Sequence, residues 1–267
     1  EASFSELPDG AYIVAPSARD RRYQKVTKSD HSGVPGAVSA SEDGENLFFV
    51  SEPTKAGEAT YVGTFEINRR VGTEGGIDRA KGKDFAAGKG SVKAGAKDTK
   101  LKSEAAALGA GDMLPFDALV AVMNASVDKG DKSAFELAHR AATLMRLRKV
   151  PATLIGGYLA PKTGAETSTT HAWVLAELPV LGLTPMDPAL RKATWKEGGD
   201  SAHVGQVDAE RIEMVNGHDL VIAAQEGVNP KLVLQGDVTA PRALKAGKSV
   251  GKVTWKVSFE KMSPAKK

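Results

Sequence analysis

Apolar and polar positions change their rhythm twice along this chain. In the first seventy residues apolar runs are short and strand-like: Ala11 to Ala15, Leu47 to Val50, and Thr60 to Arg70, where Tyr61, Gly63, Phe65 and Ile67 alternate with Val62, Thr64, Glu66 and Asn68. Loops are predicted between them at Asp30 to Gly36 and Ser51 to Gly57. From Gly72 to about Lys102 the composition turns to Gly, Lys, Ala and Asp, which buries little surface and predicts a linker or long loop. The predicted organisation is a β-rich N-terminal region over 1–71, this linker over 72–100, and a mixed core with C-terminal strands over 101–267.

Helical spacing begins after the linker. Phe116, Leu119, Val120 and Met123 form one stripe of a helix from about Pro115 to Val127, with proline in the first turn. In the next helix Ser133 and Glu136 make an S-x-x-E capping box, so Ala134 is its first residue, and its stripe is Leu137, Ala138, Ala141, Leu144 and Met145. It is expected to stop near Lys149, ahead of Pro151. Strand patterns follow at Thr153 to Leu159, from His171 through Val174 to Leu178, and at Leu183 to Asp187, with a turn at Pro179 to Gly182. The order is helix, then an antiparallel meander. Further on, Asp219 to Ala224 and Lys231 to Gln235 are mixed segments, and Lys252 to Phe259 reads as one last strand with Val253, Trp255, Val257 and Phe259 on one face. There is no internal repeat.

Composition narrows the function classes. With 267 residues, 41% of them hydrophobic and 26% charged, the chain can build a sizeable core and is neither disordered, collagen-like nor coiled-coil throughout. The most apolar run, Val174 to Leu183, is broken by Glu177 and Pro179 and falls short of the roughly 20 residues of a membrane span. A formal net charge of +3 with 6% aromatic residues argues against a nucleic-acid partner. The chain starts at Glu1 without an apolar leader and reads as a processed or trimmed product whose address label is missing; an extracytoplasmic address, periplasmic or secreted, is the expectation. The chain has no cysteine, which removes disulfides, thiolate metal sites and, as written, a cysteine nucleophile.

Several familiar signatures fail. Gly247-Lys248-Ser249 ends like a phosphate loop, but Arg242 stands where the first glycine belongs and a strand follows, so a turn is expected. His203 and His218 lack second ligands at metal-binding spacing, His31 is expected in a loop and His139 on a helix surface. The lysines from Lys81 to Lys102 fit a solvated loop. Nothing calls for a metal or organic cofactor.

One constellation remains. Ser133-Ala134-Phe135-Glu136-Leu137-Ala138, then Arg146, Val150-Pro151-Ala152, Gly157-Tyr158, His171-Ala172-Trp173-Val174, Gly182 and Asp187-Pro188 resemble the core of the transglutaminase-like superfamily of papain-fold thiol enzymes. The resemblance covers about a fifth of the chain. It implies an α+β papain-like core, a helix followed by an antiparallel β meander, behind a small β-rich N-terminal region. It also places Ala134 at the nucleophilic cysteine's position, with His171 and Asp187 as its catalytic partners. The chemistry is coherent beside it: a helix N-terminus favours a thiolate at position 134, His171 suits the imidazolium partner, and Asp187 can orient it. The N–H of residue 134 is placed as an oxyanion donor.

The implied activity is thiol acyl transfer on a peptide or protein amide, either hydrolysis or transfer to an amine. Alanine cannot do this chemistry. The retained His171 and Asp187 favour an engineered Cys→Ala form of an active bacterial enzyme; the alternative is a natural pseudoenzyme serving as a peptide- or cell-wall-binding module.

Overall fold

The computed structural model describes residues 1–21, 24–69, 72–73, 99–108, 115–127, 132–160, 164–178, 182–193, 204–207, 210–217, 219–227 and 229–260. Helix and sheet are mixed, with strands predominant. The chain opens with β1 (Ala2–Leu7), β2 (Tyr12–Ser17), β3 (Gln24–Ser32), β4 (Gly36–Ala40), β5 (Leu47–Ser51), β6 (Gly57–Arg69) and the two-residue β7 (Gly72–Thr73). Helices α1 (Thr99–Ala107), α2 (Pro115–Val127) and α3 (Ala134–Leu147) follow. After them come β8 (Ala152–Leu159), β9 (Glu166–Thr167), β10 (His171–Leu178), β11 (Gly182–Met186) and the short α4 (Pro188–Ala193). The remaining strands are β12 (Gln206–Val207), β13 (Arg211–Asn216), β14 (Val221–Ile222), β15 (Leu232–Val233), β16 (Arg242–Lys245), β17 (Lys248–Ser249), β18 (Lys252–Trp255) and β19 (Val257–Ser258). Among the described residues no helix is long and apolar enough to cross a membrane.

The sheet that matters for the site is antiparallel, in the order β11-β10-β8-β13. Helix α3 lies on it and carries the expected stripe inward: Leu137, Ala138, Ala141, Leu144 and Met145 are at most 1% exposed. Leu119 and Met123 of α2 join the same core, together with Leu154, Val174 and Met186 from the sheet. Arg148 caps α3, and Lys149 takes a positive φ of 62°, which turns the chain toward Pro151 and β8.

Gly156 and Gly157 let two neighbours approach β8. A Cβ on Gly157 would lie 1.9 Å from the Ile212 carbonyl oxygen of β13, and one on Gly156 would lie 2.3 Å from Thr239 Cγ2. The first obstacle is backbone and cannot rotate away, so Gly157→Ala must part β8 from β13. We expect it to cost at least about 3 kcal/mol, a core-disrupting effect, read from the urea midpoint; a loss below about 1 kcal/mol would contradict this packing.

The N-terminal strands do not close on themselves. One sheet runs β18-β1-β6-β3 and another β17-β16-β2-β5-β4, so strands from the far end of the chain complete both. Two expectations are corrected here. Asp30 to Ser32 belong to β3 rather than to a loop, because they pair with Thr64, Gly63 and Val62 of β6, and this places His31 within a strand. The final strand is split: β18 pairs with β1 and β19 with β9, and Val253, expected on the inner face, is 38% exposed. Of the expected linker, Gly72–Thr73 and Thr99 onward adopt strand and helix, while 74–98 lie outside the described residues. The expected turn at Gly247 is a tight connection between β16 and β17, with φ of 75°.

Candidate active site

Position 134 is built by its helix. Ser133 has extended backbone angles, φ −63° and ψ 159°, and its hydroxyl accepts from the Glu136 N–H at 3.2 Å while the Glu136 carboxylate accepts from the Ser133 N–H at 2.9 Å. The Ser133 N–H, and after it the Ser133 hydroxyl, hold the Glu136 carboxyl below the usual carboxylate range. These bonds commit Ser133 to capping and leave Ala134, half-buried, as the first helical residue. The first-turn N–H groups of a helix lack intrahelical acceptors and carry a partial positive charge.

His171 opens β10 opposite Gly157 of β8, and Asp187 follows the last residue of β11. The structure brings these two together: His171 Nε2 lies 2.8 Å from Asp187 Oδ2. A carboxylate only accepts, so Nε2 carries the proton of that bond and Nδ1 is the ring nitrogen left for other partners. The His171 ring also stacks on Trp173, two residues along the same face, with centroids 6.1 Å apart. Ala134 opens α3, and that helix packs on β10 and β8, the strands that carry His171 and Gly157.

Sequence reasoning missed Arg211. This arginine opens β13, and its Nε lies 2.9 Å from Asp187 Oδ2, the oxygen that also faces His171. The remaining oxygen, Oδ1, accepts from the Leu190 N–H of α4 at 3.0 Å. The side chains of Asp187 and Arg211 are 1% and 3% exposed. Burial pushes the Asp187 carboxyl up, but the His171 bond and charge, the Arg211 charge and the Leu190 N–H outweigh it and hold the group below the usual range. A signal for Arg211 did exist in the alternation of Arg211, Ile212 and Glu213, a strand pattern with charges at both ends, but nothing local tied it to Asp187.

The sign of that shift gives a pH prediction. A depressed carboxyl contributes stability that is present above the unfolded value of about 3.9 and is lost as pH falls through the folded value. Urea midpoints should therefore fall steeply below about pH 4, and Asp187→Asn should flatten that acid limb. An acid limb that is the same in both chains would contradict the assignment.

The other candidate residues stand apart. His31 Nδ1 faces the Tyr61 hydroxyl at 2.8 Å and its ring stacks on Phe49, which makes it a packed residue of the N-terminal strands. His139 stacks on Phe135 within α3. His203 and His218 lie outside the described residues. Among the described residues no three His, Cys, Asp or Glu side chains gather as a metal ion would require.

No family model and no curated protein matches the chain. Solved structures do. The periplasmic domain of TgpA from Pseudomonas aeruginosa is 12% identical, with a TM-score of 0.39 over 72% of this chain and 73% of that one. A candidate cysteine protease from Cytophaga hutchinsonii is 12% identical, with a TM-score of 0.57 over 98% of this chain and 90% of that one. Across nearly its whole length, therefore, this chain is similar in fold to that Cytophaga hutchinsonii protein.

Proposed function

We propose that this chain carries the site of a transglutaminase-like, papain-fold thiol enzyme, with Ala134 in the nucleophile's place. On this reading it binds a peptide or protein amide without turning it over. The observation that carries the proposal is the 2.8 Å bond between His171 Nε2 and Asp187 Oδ2, made where one strand of the meander begins and the next ends. In the parent chemistry a thiolate at position 134 adds to the amide carbonyl, and the N–H of residue 134 donates to the developing oxyanion. The His171 imidazolium then gives its proton to the departing amine, leaving a thioester at position 134 that water or a second amine resolves. Asp187 stabilises the imidazolium and fixes which ring nitrogen faces the reaction. An alanine methyl has no lone pair to donate, and Ser133 is held by its cap. We assign the protein to an extracytoplasmic compartment as part of the same reading.

A second reading, a natural pseudoenzyme that binds peptide or cell-wall material, is favoured by one observation. Asp187 Oδ2 already faces a buried arginine, so its charge is compensated before His171 gains a proton. Acylation separates the two. With Ala134→Cys, exposure to peptide amides and activated esters should leave a covalent acyl group readable by intact mass, and adding Asp187→Asn should slow its formation by at least about 100-fold while ligand affinity changes far less. Measurable binding that ignores the residue at position 134, with no acyl adduct, would reject the enzyme in favour of the binder.

A further inference from the structure

Strand β13 is the outer edge of the sheet that holds the site, and an exposed edge normally leaves N–H and C=O groups unpaired. Here side-chain amides from the N-terminal region stand in for a neighbouring strand. The Gln24 amide donates to the Glu213 carbonyl at 2.9 Å, and its Oε1 accepts from the Glu213 N–H at 3.0 Å. Asn46 repeats the arrangement on Asn216, donating to its carbonyl at 2.9 Å and accepting from its N–H at 2.7 Å. Gln24 and Asn46 are 2% and 0% exposed, so their amides are out of water, where an unmade bond is expensive. Arg21 adds an ion pair to Glu213, with Nε 3.0 Å from Oε1. Three side chains of the N-terminal region, Arg21, Gln24 and Asn46, thus hold the strand that Arg211 opens.

We propose that Arg211 is a positioning residue for the His171–Asp187 pair, and that the N-terminal region sets its place by capping the edge of β13. The proposal rests on the acyl-transfer reading of that pair. Register explains how a strand two places away reaches the site. His171 stands opposite Gly157 on β8, whose own neighbour on β13 is Glu213, and Arg211 stands opposite Leu159, two residues further along the same face, so Arg211 lies diagonal to His171 across a strand that carries no side chain at Gly157. From opposite flanks the His171 and Arg211 N–H groups meet on Oδ2, while the Leu190 N–H holds Oδ1. The carboxyl torsion of an aspartate is broad and roughly two-fold, so its plane is set by its donors. Arg211 removes the freedom that His171 alone would leave. A displacement of β13 then becomes a rotation of the Asp187 carboxylate and a weaker hold on the His171 ring.

The test uses the unaltered chain, with its histidines labelled by nitrogen-15 and His171 assigned through His171→Gln. The Nε2-bound proton of His171 should exchange slowly with water. Arg211→Met should speed that exchange by about tenfold or more, as expected for loss of a hydrogen bond to a charged group, and Arg211→Lys should recover part of it. Gln24→Leu, distant from the imidazole, should speed it to a smaller degree. An unchanged proton in a folded Arg211→Met chain would overturn the positioning role, and an unchanged proton in Gln24→Leu would overturn the part played by the N-terminal region. If Arg211→Met does not fold, Arg211→Lys decides the positioning role: a proton that exchanges there as in the unaltered chain would overturn it. The signal needs no thiol, so its failure is distinct from a failure of acylation at position 134.

Discussion

Ala134→Cys should place in this chain its only thiol, and that thiol should titrate well below the roughly 8.5 of a free cysteine, by about two units or more. On the proposed function the main cause is a protonated His171 presenting Nδ1 toward position 134; the second is the N-terminus of α3, whose dipole alone is worth about 0.3–1 kcal/mol, under one unit. Alkylation rates followed against pH measure this directly. Adding His171→Ala should return the thiol most of the way to ordinary behaviour, leaving only the helix contribution. A thiol that titrates like free cysteine with His171 intact would remove the mechanism from the proposed function, whatever the fold.

The second large effect is on stability. Asp187→Ala removes the anion that both His171 and Arg211 face, in a place where all three side chains are at most 11% exposed. Breaking a buried charge pair by deleting one partner costs about 3–5 kcal/mol. Asp187→Asn should cost less, because its amide oxygen can still accept one donor. Urea unfolding of both variants at neutral pH checks the order. A loss under about 1 kcal/mol for the alanine variant would mean that Arg211 finds equal compensation elsewhere.

How much of this was legible in the sequence follows the range of the forces. Helix α3 was legible almost to the residue, since the Ser133–Glu136 cap and the stripe from Leu137 to Met145 are interactions within one helix. Pro115–Val127 was legible for the same reason, and β8 and β10 announced themselves by their β-branched and aromatic runs between turn residues. The strand β3 was not, because Lys25, Thr27, Lys28, Ser29 and Asp30 are exposed and give no apolar alternation; only pairing along β6 makes it a strand. The break at Lys256 was hidden too. An alternating run shows which face is inward, yet not that Trp255 and Val257 pair with β1 and β9 respectively. At the site, His171 and Asp187 lay on neighbouring strands of a short meander, within reach of local reasoning. Arg211 reaches Asp187 across 24 residues and through the register of β13 on β8, which no local pattern encodes.

The proposed function requires position 134 and His171 to face each other across one cleft. A short bifunctional alkylating reagent, 1,3-dibromoacetone, tests that geometry in the Ala134→Cys chain without requiring turnover. Its first arm takes the introduced thiol, and its three-carbon bridge, about 5 Å end to end, lets the second arm reach only a neighbouring nucleophile. Peptide mapping should find the thiol tied to the His171 ring through Nδ1, since Nε2 is held by Asp187. A thiol that is alkylated once and never bridged, or bridged instead to His139 on its own helix, would contradict the account.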